Sequence, residues 1–257
     1  MRKPRLLDLF CCAGGAGMGY ARAGFEITGV DSPSNPLERI VRRCDDTVAA
    51  LYVETDGTYW ALRDVDPWDE QRDAKNYPGP YPVVAHPPCQ RWGRFWHGST
   101  RKPHRFLKGD DGGCFASALR VVRMWGGVIE HPADSHAWAA FGLPKPPRAG
   151  GWVGSDFAGW TCCVYQGHYG HPSGKPTWLY VHGVDRDDLP ELKWGKTEQR
   201  LPQWMVDRYG YEKARRIGVV AMVGGKDKTR IRNATPPEFR DLLLRIARSA
   251  GAPPNTN

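Results

Sequence analysis

Short apolar runs, each ended by glycine, proline or a single polar residue, recur along the chain and predict the strands of a sheet. Such runs occupy residues 5–10, 25–31, 83–85 and 126–130. Residues 115–125 instead repeat apolar positions at the 3.6-residue spacing of a helix packed on a sheet. Strands that alternate with helices in this way predict an α/β fold.

The pattern is weaker between residues 32 and 82, where two further elements are predicted. Residues 37–43, Leu-Glu-Arg-Ile-Val-Arg-Arg, are compatible with a helix. Residues 59–64, Tyr-Trp-Ala-Leu-Arg-Asp, are predicted to form a third strand. Prolines and glycines toward the end of residues 67–82 indicate a loop that leads into the next strand.

The apolar run at 83–85 leads directly into His86-Pro87-Pro88-Cys89. Proline lacks an amide hydrogen and fixes φ, so the chain is expected to leave the sheet there as a stiff turn. The turn would carry the Cys89 thiol at the carboxyl end of a strand, where open α/β sheets bind ligands. A thiol in that place is a candidate nucleophile, although an isolated Pro-Pro-Cys is also compatible with a buried structural cysteine.

A second run repeats this arrangement with a carboxylate in place of the thiol. Residues 126–129 are glycine, valine and isoleucine, Glu130 follows them, and Pro132 ends the segment. A glutamate at that edge can donate a proton to a ring nitrogen of a substrate, and the alternative is a glutamate in a structural salt bridge. A thiol and a carboxylate at the same rim predict one shared site.

A glycine-rich segment follows the first strand. Residues 11–19 read Cys-Cys-Ala-Gly-Gly-Ala-Gly-Met-Gly, and a short helix-like segment comes next. A strand, a glycine turn and a helix bring backbone close to a nucleotide-like ligand, although an ordinary loop has the same appearance. Asp31 ends the next strand roughly 20 residues after the turn begins, where a carboxylate commonly binds ribose hydroxyls. Asp64, or Asp66 beside it, is the candidate to face an adenine amino group.

Composition indicates a polyanionic partner and reduced thiols. The 257 residues carry a formal net charge of +8, and aromatic residues are interleaved with basic ones through 90–108. Such a segment suits base stacking and phosphate contacts, and a basic surface loop is its alternative. No apolar stretch approaches the roughly 18 residues of a membrane span. The 7 cysteines, with no secretory leader ahead of them, favour a reducing cytoplasm.

Several of these segments together resemble the S-adenosylmethionine-dependent DNA (cytosine-5) methyltransferases, and look closest to small, divergent phage-type members. The segments that carry the resemblance are Asp8–Gly15, Val30–Asp31, Pro87–Gln90, Ile129–Pro132 and Arg232–Pro237. They are similar, in that order, to the family's cofactor-cradling motif, its ribose-binding position, its Pro-Cys-Gln nucleophile motif, its Glu-Asn-Val motif and its Gly-Asn-Ala-Val-Pro-Pro motif. A helix from Glu238 to Ser249 is expected after the last of them.

The resemblance implies a Rossmann-like methyltransferase fold, with a mostly parallel sheet, helices on both faces and a small recognition insertion. Residues 1–140 and 215–250 would form the cofactor-binding and catalytic domain. Residues 141–214 would form the target-recognition region, and 251–257 a tail. The protein is expected to act as a monomer in the cytoplasm, that of a bacterial host cell if it is phage-encoded.

The implied activity is transfer of a methyl group from S-adenosylmethionine to carbon 5 of cytosine in DNA. Cys89 would add to carbon 6 of a cytosine flipped out of the duplex, and Glu130 would hydrogen-bond or protonate ring nitrogen 3. The residues implied to hold the cofactor are Phe10, Cys12, Ala13, Gly14, Gly15, Asp31, Asp64, Pro88, Asn233 and Ala234.

The chain departs from the family at several positions. Lys175 and Thr177 stand where the family carries two arginines, so Lys175 is the candidate to help hold the oxygen of the base. His131 replaces the asparagine after the glutamate, Trp92-Gly93 replaces an aromatic-serine pair, and Arg232 replaces a glycine beside the sulfonium pocket. These departures leave open RNA cytosine as the substrate, transfer of a different one-carbon or carboxymethyl group, and a catalytically weakened DNA-binding relative.

A cysteine pair in the middle of the chain invites a zinc interpretation, because Cys162-Cys163 is followed by His168 and His171. The spacing fits no usual zinc pattern, and adjacent cysteines rarely bind the same ion. No metal is therefore expected.

Overall fold

The structure is a computed structural model. It describes residues 5–9, 26–30, 40–45, 48–53, 58–62, 82–94, 96–99, 102–103, 107–155, 158–198, 200–201, 203–217 and 235–250. In the strands that precede residue 63, the backbone alone is described.

The strands are β1 (Arg5–Leu9), β2 (Glu26–Val30), β3 (Ile40–Asp45), β4 (Val48–Val53), β5 (Thr58–Leu62), β6 (Val83–Ala85), β7 (Gly98–Ser99), β8 (Lys102–Pro103), β9 (Gly127–Pro132), β10 (Val153–Ser155), β11 (Gly159–Tyr165) and β12 (Pro176–His182). The α-helices are α1 (Cys114–Trp125), α2 (His136–Ala140), α3 (Gln203–Tyr209), α4 (Tyr211–Ile217) and α5 (Pro237–Ala250). Two 3-10 turns span Gln166–Tyr169 and Arg186–Asp188.

A seven-stranded mixed sheet, in the order β10-β11-β12-β9-β6-β1-β2, forms the centre of the described fold. Strands β2, β1, β6 and β9 pair in parallel. Strand β12 pairs antiparallel with β9 and β11, and β10 pairs antiparallel with β11. The predicted α/β fold is confirmed, but the prediction of a mostly parallel sheet is wrong. Strands β10 to β12 follow one another through short connections, whereas parallel neighbours need a crossover of about a dozen residues or more.

Helices cover both faces of the seven-stranded sheet, as expected. Helix α1 packs against β6, β9 and β12, and its Phe115 belongs to one buried cluster. Helix α5 packs against β6 and β9, and its Leu243 belongs to a second cluster. Along β6, Val83 and Ala85 join the first cluster while Val84 joins the second. This strand is apolar throughout because both of its faces are covered.

Strands β3, β4 and β5 form a separate three-stranded antiparallel sheet in that order. The helix expected over residues 37–43 is therefore wrong for residues 40–43, which lie in β3. Ile40 and Val41 are β-branched and favour a strand when an antiparallel partner follows closely, as β4 does here. The strand expected at 59–64 is confirmed as β5, but it lies outside the central sheet.

The strand that carries Glu130 begins at a position that requires glycine. Gly127 has a φ of 123°, in a region that side chains rarely adopt, and a Cβ placed on it would lie 2.0 Å from the carbonyl oxygen of Val83. The close approach of β9 to β6 at this point fixes the register in which Ala85 faces Ile129. That register determines which residues emerge together at the far end of the two strands.

Within the described part of the chain, no helix is long and apolar enough to cross a membrane.

Candidate functional site

Cys89 and Glu130 are delivered to the same edge of the sheet by neighbouring strands. Strand β6 ends at Ala85, which pairs with Ile129 of the parallel strand β9. The next residues along the two chains are His86 and Glu130, and their side chains meet at 3.2 Å, from Nδ1 to Oε2. Cys89 follows His86 by three residues, in the proline turn. The contact between His86 and Glu130 therefore joins the two strand ends that the sequence predicts at one edge of the sheet.

The strand order of the central sheet reverses beside this edge. From β1 the chain passes to β2 on one side, and β6 and β9 then lie on the other side of β1. The order therefore reverses between β1 and β6, and ligands of open α/β sheets bind outside the carboxyl ends of the strands at such a reversal. The Cys89 turn extends from β6, one of the two strands between which the order reverses.

The turn that carries Cys89 is tightly held. The Cys89 carbonyl oxygen accepts hydrogen bonds from the backbone amides of Trp92, at 3.1 Å, and Gly93, at 2.7 Å. Trp92 is 8% exposed and packs against Phe115 and Phe141. The chain therefore enters the buried core three residues after Cys89, while Cys89 itself stays half-buried. A short turn between a strand and a core anchor restricts where the thiol can lie.

Asp111 joins this anchor to helix α1. Its Oδ2 accepts a 2.7 Å hydrogen bond from Trp92 Nε1 and a 2.8 Å hydrogen bond from the amide of Phe115, and its Oδ1 accepts a 2.9 Å bond from the amide of Gly113. Gly109 lies against the Trp92 ring, which a Cβ would approach to 2.7 Å. The indole therefore occupies a closely fitted position.

The Glu130 carboxylate is held by two donors from different parts of the fold. Oε2 contacts His86 of the Cys89 turn, and Oε1 accepts a 3.1 Å hydrogen bond from Gln166 Nε2. Gln166 Nε2 also donates to Thr177 Oγ1 at 2.9 Å. Thr177 Oγ1 in turn donates to the carbonyl oxygen of Lys175 at 3.2 Å. These contacts form a polar network, named here the Glu130 network, of His86, Glu130, Gln166 and Thr177.

His86 and Lys175 keep Glu130 ionised. Burial by itself raises the pKa of this carboxyl, but the hydrogen bond and charge of His86, followed by the charge of Lys175, lower the pKa to about 2. An ionised carboxylate can only accept hydrogen bonds. His86 Nδ1 therefore carries the hydrogen of the 3.2 Å bond, an assignment that rests on this network.

Lys175 lies just before β12 in a left-handed conformation, with a φ of 38°. That region costs a non-glycine residue about 1 to 2 kcal/mol. The Lys175 carbonyl accepts hydrogen bonds from the Gln166 amide and from Thr177 Oγ1, both at 3.2 Å, which favour this conformation. Its ammonium charge acts on Glu130. The structure thus links Lys175 to the site, while its contact with a base stays a prediction.

His131, next to Glu130, lies on the opposite face of β9 and is fully buried. Its ring packs edge-on against Phe115 and also against Trp138. Among the described residues, neither of its ring nitrogens has a hydrogen-bond partner. Burial lowers the pKa of His131 to about 4, although Glu130 and the backbone of Pro88 act in the opposite direction. His131 is therefore neutral at physiological pH.

This histidine should make the fold sensitive to mild acid. Its pKa is about 4 in the folded state and 6.5 when unfolded, so between these values the unfolded chain binds the proton and the folded chain does not. Stability should therefore fall as pH falls from 6.5 to 4, by up to about 3 kcal/mol. Urea unfolding of wild type at pH 7 and pH 4.5 would measure this loss.

The His131→Phe variant isolates the contribution of this residue. An aromatic ring of similar shape should keep the packing against Phe115 and Trp138 and remove the proton uptake. The unfolding free energy of this variant should change less between pH 7 and 4.5 than that of wild type. His97→Phe, which removes an exposed imidazole, should keep the wild-type dependence. Equal slopes for wild type and His131→Phe would contradict the assignment.

Two members of the Glu130 network, His86 and Gln166, were not predicted from the sequence. Gln166 follows the apolar run Cys162–Tyr165, just as Glu130 follows the run at 127–129. A polar residue that ends a buried strand was therefore the available signal. His86 stands directly between a buried strand and the two prolines, where it is fixed by the same turn as Cys89.

Most of the predicted cofactor contacts lie outside the described residues. These are Phe10, Cys12, Ala13, Gly14, Gly15, Asp31, Asp64, Asn233 and Ala234. Pro88 is described and lies half-buried in the Cys89 turn. Phe10 and Asp31 directly follow β1 and β2, two neighbouring strands of the central sheet. Asp64 instead follows β5, which belongs to the separate sheet, so the strand order gives this prediction no support.

The cysteine pair of β11 lies in the core. Cys162 and Cys163 are buried and belong to the two different clusters on opposite faces of the sheet. Successive side chains of a strand point to opposite faces, so these two thiols cannot bind one ion. Burial, followed by the charge of Cys163, raises the pKa of Cys162 well above its usual value. Within the described residues, no cluster of His, Cys, Asp or Glu has the makeup of a metal site.

No family model matches the sequence, and no curated protein matches it. Among solved structures, the chain is similar to a crystal structure of a prophage-encoded E. coli protein that is described as a DNA modification methyltransferase. The two share 16% identity and a TM-score of 0.35, and the match covers 74% of this chain and 49% of that one. The match thus spans about half the length of that protein.

Proposed function

We propose that the protein transfers a methyl group from S-adenosylmethionine to carbon 5 of cytosine in DNA, through a covalent adduct with Cys89. One observation carries the proposal: the Cys89 turn and Glu130 leave adjacent parallel strands at the same edge, and His86 of that turn is hydrogen-bonded to Glu130. A nucleophile and a carboxylate tied together in this way are suited to act on one heterocyclic ring.

Cys89 supplies the nucleophile, because carbon 5 of cytosine does not attack a methyl group directly. The thiolate adds to carbon 6, and the electrons of the carbon 5–carbon 6 double bond move through the ring as nitrogen 3 gains a proton. Carbon 5 of the resulting enamine takes the methyl group. Loss of the carbon 5 proton to solvent then expels the Cys89 thiolate, and nitrogen 3 releases its proton.

Glu130 and His86 manage the proton at ring nitrogen 3. In the resting enzyme the carboxylate is ionised and the hydrogen of their contact lies on His86 Nδ1. The transfer requires the imidazolium form of His86. As the thiolate adds to carbon 6, nitrogen 3 becomes more basic and takes a proton through the Glu130 carboxylate, which receives it from His86 Nδ1 and leaves His86 as a neutral imidazole. The pair supplies general acid catalysis of the kind worth roughly 10² to 10⁴ in rate.

The reversal of strand order between β1 and β6 fits a cofactor that must lie beside the Cys89 turn. S-adenosylmethionine, when bound, would supply a methyl group on a positively charged sulfur, which would leave as a neutral thioether when its bond to the methyl group breaks. The residues that would hold it are the glycine-rich segment after β1, Asp31 after β2, Pro88 in the Cys89 turn, and Asn233 and Ala234 ahead of α5. The base must leave the DNA stack to reach Cys89.

The recognition of DNA would fall to the parts of residues 141–214 that do not build the sheet. Strands β10 to β12 of that region pair with the central sheet. The remainder includes α3, and α4 follows it directly with Arg215 and Arg216 in its last turn. The exposed Trp204 and Tyr211 of these helices suit stacking, and their basic neighbours suit phosphate contacts.

Mass spectrometry of nucleosides from a bacterial host tests this function. DNA from cells that express wild type should contain a modified cytosine that is missing from cells expressing Cys89→Ser, and its mass should correspond to one added methyl group. A larger mass would instead support transfer of another group. Modification confined to RNA would replace DNA with RNA as the substrate. Unmodified nucleic acid, with both variants folded and expressed equally, would refute the transferase proposal.

A further inference from the structure

Gln166 is anchored at the point where it meets Glu130. Its amide nitrogen donates to the carbonyl oxygen of Lys175 at 3.2 Å, and its own carbonyl oxygen accepts from the amides of Gly170 and His171, the latter at 3.1 Å. The residue has no exposed surface. It lies at the beginning of the 3-10 turn that follows β11. The Gln166 backbone is therefore held by hydrogen bonds that do not involve its side chain.

The side-chain amide of Gln166 has a defined orientation. Thr177 Oγ1 donates its hydrogen to the Lys175 carbonyl, so it accepts from Gln166 Nε2. The second hydrogen of Nε2 is directed to Glu130 Oε1 at 3.1 Å. Both amide hydrogens are thus used, one to fix the amide and the other to hold the carboxylate.

This arrangement leaves Gln166 Oε1 buried without a hydrogen-bond partner among the described residues. A buried acceptor without a donor is unfavourable, and methionine would fill a similar volume without that penalty. Packing alone therefore does not explain a glutamine at this position. Its two donated hydrogen bonds do explain it, because the shorter asparagine could not span both acceptors and methionine could supply neither.

We propose that Gln166 is a positioning residue that fixes the orientation of the Glu130 carboxylate, with Thr177 as its support. The inference rests on the proposed function for its catalytic consequence. Through Oε1 of Glu130, Gln166 opposes rotation of the carboxylate, while His86 holds Oε2. The carboxylate is then presented to the base by two donors from outside its own strand. The chemistry of the reaction stays with Cys89 and Glu130.

The test follows the titration of Glu130 in the full-length protein without substrate or cofactor. Carbon-13 NMR of labelled glutamate carboxyls, with Glu130→Gln to assign the signal, reports its ionisation. In Gln166→Met the midpoint of Glu130 should rise, because the ionised form loses a donor. The matched control is Gln203→Met, which removes a 2.8 Å amide–carboxylate hydrogen bond to Asp207 on exposed helix α3. It should leave Glu130 unchanged.

Kinetic measurements distinguish the loss of Glu130 positioning from a general destabilisation of the fold. In Gln166→Met, kcat for methyl transfer to a cytosine duplex should fall roughly tenfold to a hundredfold, with KM for DNA little changed. Gln166→Glu should recover rate as pH is lowered from 8 to 6, because its protonated carboxyl can donate to Glu130, and Gln166→Met should not. Thr177→Val, which keeps the size of the side chain, should show a smaller effect in the same direction. It replaces Gln166→Met in the test if Gln166→Met does not fold.

The inference would be overturned by a Glu130 titration midpoint that is unchanged in Gln166→Met. Where Thr177→Val replaces that variant, an unchanged midpoint in Thr177→Val would have the same consequence. Wild-type protein that transfers no methyl group would refute the proposed function, and the Glu130 titration would still decide the role of Gln166. A shifted midpoint together with a reduced kcat would establish Gln166 as a positioning residue for the proposed reaction.

Discussion

Cys89→Ala should lose methyl transfer by about 10⁴-fold or more, since no other group can replace the thiolate that adds to carbon 6. The loss should appear in kcat, with cofactor binding retained, because the side chain removed is the proposed nucleophile. Methyl transfer to a cytosine duplex under single-turnover conditions would measure the chemical step directly.

The covalent adduct offers a second readout of the same prediction. With 5-fluorocytosine in the duplex, the final step is blocked because carbon 5 has no proton to lose, so Cys89 should stay bonded to carbon 6. Wild type with the cofactor should give a protein–DNA complex that survives denaturing electrophoresis, and Cys89→Ala should give none. Cys114→Ala removes another half-buried thiol, in α1, and should behave as wild type. An adduct formed by Cys89→Ala would exclude Cys89 as the nucleophile.

The placement of Cys89 and Glu130 at one edge of the sheet could be predicted because their signals are local. Cys89 follows an apolar strand and two prolines, and Glu130 ends a similar strand, so each position is set by residues next to it in sequence. That the strands are parallel neighbours could be expected from the alternation of strands and a helix between them. The pairing in the structure, with Ala85 opposite Ile129, agrees with that expectation.

The Glu130 network could not be predicted in the same way. Gln166 reaches Glu130 across 36 residues of sequence, because β12 lies between β9 and β11 in the sheet. This antiparallel order depends on which strands pair, and apolar periodicity gives no information on pairing. The mostly parallel sheet was expected from the resemblance, whose motifs lie outside this part of the chain. The wrong prediction of a mostly parallel sheet and the failure to predict Gln166 therefore have the same cause, the unpredicted strand pairing.

The protonation state of Glu130 also required the structure. A carboxyl buried alone would have a raised pKa and could hold a proton, as the resemblance implies for its role toward nitrogen 3. Here His86 and Lys175 lower the pKa to about 2, against the effect of burial. In the resting site the hydrogen therefore lies on His86 and Glu130 is ionised. This protonation state follows from the contact between the ends of β6 and β9, and neither sequence motif alone predicts it.

Trp92→Ala should destabilise the fold by about 4 kcal/mol, the range found when a buried tryptophan is truncated. The variant removes a ring that is 8% exposed and packs against both Phe115 and Phe141. It also breaks the 2.7 Å hydrogen bond to Asp111, which caps helix α1 through two backbone amides. Urea unfolding would measure the change, and Trp204→Ala, at a residue 49% exposed, should cost less than about 0.5 kcal/mol.

Trp92→Phe separates the anchoring role of this residue from its hydrogen bond. Phenylalanine keeps an aromatic ring in the core and loses the indole donor, while Asp111 retains the amides of Gly113 and Phe115, so the cost should be about 1 kcal/mol. Because Trp92 fixes the turn three residues after Cys89, the rate of Cys89 modification by a thiol reagent should change strongly in Trp92→Ala and little in Trp92→Phe, both measured where each variant is folded. Equal thiol reactivity in all three proteins would show that the turn is held by its prolines and by the hydrogen bonds to the Cys89 carbonyl alone.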